Sequence, residues 1–285
     1  MITVTGASGH LGRLVVEDLL RRGVEPGGIR AVARTPEKVA DLAARGVEVR
    51  QGDYDQPDSL VAAFEGTRRL VLVSSSEIGQ RVAQHRNAVE AAAKVGVELI
   101  AYTSILKADT SGMILAGEHL PTENLIRESG IPFTLLRNGW YLENYTENLA
   151  PALEFGTILG SAGTGLIAAA ARADYAAAAA AVVTGSGHEN RVYELGADRP
   201  FTMAQLAETV SAHTGRTVTY TDLPAQEYVK ALVGAGVPEV FAGVLADSDA
   251  GIVRGELATT STDLRELIGR PATTLDEAVA AALAA

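Results

Sequence analysis

The chain has 285 residues, of which 47% are hydrophobic and 21% charged, so it can bury a large core and is typical of a folded globular protein. Its formal net charge of −11 argues against a general affinity for nucleic acid or for an anionic membrane. The sequence contains no cysteine, which excludes disulfides, thiolate metal sites, iron–sulfur clusters and a cysteine nucleophile.

The first half of the chain alternates short aliphatic strands with helical patterns. Six strand–helix units are predicted, with strands at 2–5, 29–33, 47–51, 70–73, 99–102 and 133–136 and helices at 11–22, 36–45, 57–65, 80–95, 118–129 and 141–155. Strands at this spacing form a parallel sheet, because each helix carries the chain back across one face. The sequence therefore predicts an α/β protein with a Rossmann-type, doubly wound parallel sheet.

The pattern changes after residue 155. The stretches GTILGSAGTGLI (156–167) and RTVTYTDL (216–223) indicate short strands among loops. Thr202 and Thr274 each begin a capping box at a predicted helix start. This second region is expected to be a smaller α+β unit.

An alanine run at 176–181 predicts a packed helix, which we expect Asp174 to cap. We predict two domains, residues 1–155 and a smaller C-terminal domain of residues 156–285, with the chain able to cross between them. No leader segment or membrane-spanning stretch is indicated, so a cytoplasmic protein without a membrane partner is expected.

The segment between the first strand and the first helix carries glycines at a spacing of three. Gly6, Gly9 and Gly12 match the fingerprint that dinucleotide-binding proteins use for a tight turn, for close approach to a pyrophosphate and for helix–strand packing. The start of the following helix offers unpaired N–H groups and a positive dipole end. A three-glycine pattern alone is a weak signal, but its position in a βαβ unit predicts a phosphate-binding turn.

The end of the second strand indicates which dinucleotide binds. NAD enzymes usually carry an acid there, whereas NADP enzymes carry an arginine. This strand runs into Arg34, with Lys38 one turn further on and no acid at its tip. Since a guanidinium can bond two phosphate oxygens, we favour NADPH, with NADH as the weaker alternative. The competing interpretation is that Arg34 is a solvated surface residue.

Other candidates follow the remaining strands. Asp53 can bond the adenine or cap the next helix, and the serine run 74–76 with Glu77 can meet the nicotinamide ribose or only end a strand. After the sixth strand, Trp140 and Tyr141 are either a wall of the substrate site or ordinary packing. We favour the wall.

No tyrosine is followed by a lysine four positions later, so the proton relay of many short-chain dehydrogenases is absent. Tyr102, the nearest in place, has Leu106 at that position. This disfavours alcohol–ketone chemistry and favours an acceptor such as a quinone, which spreads negative charge over its ring and oxygens. His119 is a candidate proton donor, although we prefer a partly buried structural histidine. The histidines do not cluster like metal ligands, and no metal is expected.

Several longer stretches resemble one family. The NAD(P)H:quinone oxidoreductase type 2 proteins, flavin-free members of the NmrA-like, atypical short-chain dehydrogenase family, are similar to this chain in the segments VTGASGHLG, SSSEIGQRVAQHRNAVEAA, IAYTSILKADTS, TLLRNGWYLENY, RADYAAAAAAV and ADSDAGIVRGEL. Triphenylmethane reductase is a near relative. The likeness covers essentially the whole chain. It implies a Rossmann domain, a smaller C-terminal domain, and a cleft between them that holds NADPH and a quinone, without flavin or metal.

The resemblance also implies site residues. Together with the strand-end candidates, the expected cofactor contacts are Gly6, Ala7, Ser8, Gly9, His10, Leu11, Arg34, Asp53, Ser75, Ser76, Glu77, Ile78, Asn138, Asn144 and Tyr145. Trp140 and Tyr141 are expected on the substrate side. Asn144 is the catalytic candidate, because its amide can bond a quinone oxygen.

Direct hydride transfer from NADPH to a quinone is the leading hypothesis. A redox sensor that binds NADP(H) without turnover is an alternative, because it too would lack the tyrosine–lysine pair. A reductase of another conjugated acceptor, such as a triphenylmethane-type dye, is the third hypothesis. The sequence predicts no nucleic-acid partner and leaves open whether the chain forms a homo-oligomer.

Overall fold

The computed structural model describes residues 1–147 and 149–284. In these ranges the strands are β1 (Ile2–Val4), β2 (Ile29–Ala33), β3 (Glu48–Gln51), β4 (Arg69–Leu72), β5 (Leu99–Ile105), β6 (Phe133–Asn138), β7 (Thr157–Gly160), β8 (Arg191–Leu195) and β9 (Thr219–Asp222). The α-helices are α1 (His10–Arg21), α2 (Ala40–Ala44), α3 (Pro57–Phe64), α4 (Arg81–Val95), α5 (Ala116–Glu128), α6 (Glu143–Thr146), α7 (Ala150–Phe155), α8 (Arg172–Thr184), α9 (Met203–Thr214), α10 (Ala225–Gly234), α11 (Glu239–Val253), α12 (Asp263–Ile268) and α13 (Leu275–Ala284).

Seven strands form a parallel sheet in the order β3-β2-β1-β4-β5-β6-β8. The order reverses between β1 and β4, which is the point at which open α/β sheets bind their ligands. The predicted Rossmann-type sheet is confirmed, with all six predicted strands present. The seventh strand, β8, was not predicted, because it lies at the sheet edge with its first two residues exposed and carries only a short apolar pattern.

The C-terminal region contains the predicted short strands and caps. β7 and β9 pair in parallel as a separate two-stranded sheet. Thr202 and Gln205 form a reciprocal capping box at the start of α9. Thr274 and Glu277 exchange the same bonds at the start of α13. The helix predicted over 141–155 is found as the two short helices α6 and α7, and Asn148 between them lies outside the described residues.

The prediction that Asp174 caps the alanine-rich helix is wrong. α8 begins at Arg172, and Asp174 is fully buried in its first turn. Its carboxylate accepts hydrogen bonds from Arg270 Nη2 at 2.5 Å and from the Thr273 backbone N–H at 2.8 Å. A distant guanidinium therefore holds the acid, and Asp174 ties α8 to the segment that leads into α13.

The alanines of α8 bring this helix against α1. Four of them, Ala176, Ala178, Ala179 and Ala180, are buried in one cluster with Val15, Val16 and Leu19 of α1. Arg22 Nη2 donates to the Ala177 carbonyl at 3.1 Å. α8 and β8 thus return to the main sheet from beyond residue 156, and the domain division at that residue stays a prediction. Within the described residues, no helix has the length and apolar character that crossing a membrane requires.

A buried ion pair joins α5 to β6. Arg137 donates through Nε and Nη2 to the two carboxylate oxygens of Glu123, at 2.9 and 2.8 Å. The Glu123 side chain is fully buried and the Arg137 side chain is 4% exposed. Arg137 Nη1 also reaches Asp109 and Glu194, each at 2.9 Å. Two-point bonding of this kind fixes the helix on the sheet.

Replacing Arg137 by methionine should lower the free energy of unfolding by about 3 kcal/mol, because the Glu123 carboxylate would stay buried without its main partner. Arg68→Met is the matched control, since the Arg68–Glu98 pair has similar geometry on the surface and should cost less than about 1 kcal/mol. Chemical denaturation of both variants measures the difference. Equal losses in the two would contradict a structural role for the buried pair.

Candidate active site

A cleft of about 770 Å³ follows the carboxyl edge of the main sheet, from the turn after β1 to the loop after β6, and ends against α11. The predicted site residues that line it are Gly6, Ser8, Gly9, His10, Leu11, Arg34, Asp53, Ser75, Ser76, Glu77, Ile78, Asn138, Trp140, Tyr141 and Asn144. Two predicted residues are not part of the lining. Ala7 is fully buried, and Tyr145 packs on Phe201 in the C-terminal core, with their ring centroids 5.8 Å apart.

The glycine turn brings the start of α1 against the end of β1. Gly6 has a φ of +60°, and its carbonyl accepts a hydrogen bond from the Gly9 N–H at 2.9 Å. A Cβ on Gly12 would overlap the Gly6 backbone and lie 2.9 Å from the Thr5 carbonyl oxygen. Gly9 at the helix start makes no side-chain cap, which leaves the first N–H groups of α1 available to an anion. The turn therefore fits a pyrophosphate.

Arg34 stands at the mouth of the cleft, where β2 ends. Its Nη1 donates to Glu77 Oε1 at 2.8 Å, and its side chain is 65% exposed. Glu77 Oε2 in turn accepts from Gln84 Nε2 at 2.8 Å. An exposed guanidinium held by one carboxylate can exchange that partner for a phosphate group, since both offer a pair of negatively charged oxygen acceptors. Arg34 thus fits the 2′-phosphate of NADPH.

Asp53 also lines the cleft but does not cap α3, whose N-terminal flanking residue is Gln56. Its Oδ1 accepts from the Asp55 N–H at 3.0 Å and closes a local turn. Its contact with an adenine stays a prediction.

Two buried amide oxygens in the cleft have no hydrogen-bond partner within residues 1–147 and 149–284. These are Gln84 Oε1, near the mouth, and Asn138 Oδ1, at the end of β6. An unpaired buried acceptor costs about 1–3 kcal/mol, so such atoms usually meet a partner. The amino groups and hydroxyls of a dinucleotide are suitable donors, and both positions fit such a ligand.

The far end of the cleft, which we call the acceptor end, is more apolar. It consists of Ser104, Leu115, His119, Asn138, Trp140, Tyr141, Asn144, Phe241, Val244 and Leu245. Arg172 stacks on the Tyr141 ring at 5.3 Å and donates to Asn144 Oδ1 at 3.3 Å. Burial raises the pKa of Tyr141, so its hydroxyl stays protonated at neutral pH.

Sequence reasoning assigned no role to α11, which supplies three of these apolar residues. Phe241, Val244 and Leu245 have the spacing of any packed helix, so only the docking of α11 reveals that they face the cleft. Gln84 and Arg172 were missed for a related reason, because polar residues on helices usually face solvent.

His119 is buried, as expected, and also lines the cleft. Its Nδ1 lies 2.7 Å from the Tyr102 hydroxyl. Burial, together with the charge of Arg81, holds the pKa of His119 well below its usual range, so the ring is neutral near pH 7. In the part of the chain that the structure describes, no three acidic or histidine side chains gather as metal ligands.

Gly12→Ala should abolish dinucleotide binding, with a Kd at least a hundredfold higher, because the added methyl group forces α1 away from the turn. Gly117→Ala is the control, since that exposed helical glycine has open space around it. Titration of NADPH fluorescence measures both constants. Unchanged affinity in a folded Gly12→Ala variant would show that the turn is not the phosphate site.

Known proteins that are similar to this chain in sequence and in structure include several oxidoreductases. Residues 1–250 match the NmrA-like family. The chain is 50% identical to quinone oxidoreductase 2 of Escherichia coli, over 98% of this chain and 97% of that protein. The solved structure of an NADPH-dependent quinone oxidoreductase from Escherichia coli complexed with NADPH matches with a TM-score of 0.97 and 49% identity, covering 99% of this chain and 100% of the other. The Citrobacter sp. triphenylmethane reductase complexed with NADP(H) matches with a TM-score of 0.95 and 42% identity, over 99% and 100% of the two chains.

Proposed function

The chain belongs to the NmrA-like family, and we propose that it is an NADPH-dependent quinone oxidoreductase that transfers a hydride directly to a quinone. The observation that carries this function is the cleft itself. The glycine turn after β1 and Arg34 lie at one end of it, and the aromatic, apolar acceptor end lies at the other. The 50% identity to a quinone oxidoreductase over nearly the whole chain supports the same activity.

We propose that no flavin or metal takes part. The cofactor positions and the acceptor end adjoin at Asn138, so a hydride has no need of an intermediate carrier. Bound NADPH would supply the hydride, and the chain's own task is then to place the two reactants and exclude water.

Each group of residues has a place in this scheme. The turn around Gly9 holds the pyrophosphate, Arg34 bonds the 2′-phosphate, and Asn138 Oδ1 accepts from the nicotinamide end of the cofactor. Trp140 and Tyr141 flank the quinone ring. Because Arg172 occupies Asn144 Oδ1, the Asn144 amide N–H is the group that can donate to a quinone oxygen.

We propose a domain division that differs from the one predicted at residue 156. Residues 1–155 with α8 and β8 form the cofactor unit, and the remaining C-terminal elements cover the acceptor. This arrangement is supported by the packing, because α8 and β8 share an apolar cluster with β1 and α1, whereas β7, α9 and α13 pack in a second cluster that also includes residues from 105 to 152.

A second candidate function is reduction of a triphenylmethane dye. It is favoured by the 42% identity to the Citrobacter sp. reductase across nearly the whole chain. The apolar acceptor end would suit such a dye as well as a quinone.

The function is tested by the loss of nicotinamide absorbance with NADPH and a simple quinone, without added flavin, and again with NADH. Rapid oxidation that prefers NADPH is expected. Oxidation with dyes but not with quinones would favour the second candidate. Tight NADPH binding without turnover of any acceptor would instead indicate a redox sensor.

Arg34→Gln should raise the KM for NADPH about tenfold to a hundredfold and leave the KM for NADH nearly unchanged, because only NADPH carries the phosphate that the guanidinium bonds. Arg68→Gln is the control, since Arg68 is an equally exposed arginine outside the cleft lining. Steady-state kinetics with each cofactor measure the ratio. Equal changes for both cofactors would contradict the assignment of Arg34 to the phosphate.

Asn144→Ala should lower kcat/KM for the quinone about threefold to tenfold, which is the value of one neutral hydrogen bond, with NADPH affinity retained. Asn124→Ala is the control, because that exposed asparagine bonds an arginine on α5 in a similar way. If Asn144→Ala reduced quinones like the unaltered chain at all substrate levels, Asn144 would have no part in the reaction.

A further inference from the structure

His119 occupies an unusual position for a buried histidine. It lies on α5, its residue is 6% exposed, and it lines the acceptor end of the cleft with Ser104 and Asn138. One ring nitrogen, Nδ1, is paired with Tyr102 at 2.7 Å. The other, Nε2, has no hydrogen-bond partner among residues 1–147 and 149–284. It is also accessible to solvent, unlike the unpaired oxygens of Gln84 and Asn138. Nε2 therefore opens onto the cleft.

The neighbouring hydrogen bonds determine where the protons lie. The Ser75 N–H donates to His85 Nε2 at 3.0 Å, so the His85 proton is on Nδ1. That proton points to the Thr122 hydroxyl oxygen, 3.0 Å away. The Thr122 hydroxyl itself donates to the Glu118 carbonyl at 3.1 Å. Thr122 therefore has no proton left to give.

The Tyr102 hydroxyl is fully buried and its proton must reach an acceptor, because an unpaired buried donor is costly. Thr122 gives its proton to Glu118 and so cannot donate to this hydroxyl, and the hydrogen bond that Tyr102 forms among the described residues runs to His119 Nδ1 at 2.7 Å, which is therefore the acceptor. Burial keeps Tyr102 protonated by raising the pKa of its hydroxyl. A neutral His119 that accepts on Nδ1 carries its own proton on Nε2, and this N–H is directed to the cleft.

We propose that the Nε2–H of His119 donates a hydrogen bond to the quinone oxygen that becomes negative as hydride is transferred, and that Tyr102 is the positioning residue that holds the required tautomer. This inference rests on the proposed quinone reductase function. A quinone has two oxygens, so the His119 donor acts in addition to the Asn144 amide.

The hydride transfer balances with NADPH and the quinone as the proposed reactants. The quinone takes one hydrogen and two electrons from NADPH, leaving NADP+, and becomes a hydroquinone monoanion. One proton from water then completes the hydroquinone. A preformed donor in a water-poor site stabilises the anion without having to reorient, and loss of one such donor typically costs about 10² to 10³ in kcat.

The first test compares His119→Phe, which cannot donate, with His119→Gln, whose amide N–H can. With NADPH and benzoquinone, kcat should fall about a hundredfold in His119→Phe and less than about tenfold in His119→Gln. The NADPH Kd from fluorescence titration should stay close to that of the unaltered chain in both variants, whereas the melting temperature should fall in His119→Phe, because the buried Tyr102 hydroxyl loses its acceptor. His188→Phe is the matched control, because His188 forms the same kind of pair with Tyr193, at 2.8 Å, and does not line the cleft.

The quinone turnover of these variants decides whether His119 donates to the quinone. Full quinone turnover by His119→Phe, or equal losses in the Phe and Gln variants, would overturn the inference and leave His119 a structural residue. If the unaltered chain binds NADPH but reduces no quinone, the proposed function fails and this inference falls with it.

Tyr102→Phe tests the positioning role. The variant keeps the ring and removes the hydroxyl group whose proton holds His119 in its tautomer, so kcat should fall about tenfold while the KM for NADPH stays unchanged. Tyr193→Phe, which removes the equivalent bond to His188, should change neither constant. A Tyr102→Phe variant with an unaltered kcat would show that His119 does not depend on Tyr102.

Discussion

The close approach of α1 to the end of β1 is the constraint on which the rest of the site depends. Gly12 has no room for a Cβ against the Gly6 carbonyl, and Gly6 itself needs a positive φ. This contact aims the start of α1 at the gap where the strand order reverses. The strands β4, β5 and β6 continue the sheet beyond that gap in register. The serine run 74–76, Ser104 and Asn138 therefore follow one another along the carboxyl edge of the sheet, at increasing distance from the turn.

The charges of the cleft differ from those of the whole chain. The net charge is −11, yet three arginines line the cleft, and each has its own carboxylate: Arg34 with Glu77, Arg81 with Glu118 and Arg172 with Glu147. Acidic partners of this kind prevent a general attraction for anions while leaving an exposed guanidinium such as Arg34 able to exchange its partner. The burial of Arg81 shows the other case, in which the pair fixes structure.

Local signals in the sequence were enough for the sheet and for the tight glycine turn after β1, because apolar strands, helix caps and glycine spacing each act over a few residues. The predicted range 29–33 coincides with β2. Features that depend on distant partners were missed: β8 pairs at an exposed edge, and Asp174 bonds an arginine 96 residues away. In the site, spacing indicated Arg34, resemblance alone indicated Asn138 and Asn144, and the bond between His119 and Tyr102 required the packing of α5 on β5.

The cleft is built from separate stretches of the chain. The turn after β1 and the end of β2 hold the cofactor end, whereas α11, more than 200 residues later, closes the acceptor end with Phe241, Val244 and Leu245. Mutations in α11 can therefore reshape the acceptor end while the turn after β1 and Arg34 stay in place. A lineage with this fold can diversify its substrates while keeping its reductant, and relatives named as an azoreductase and a triphenylmethane reductase are in keeping with such divergence.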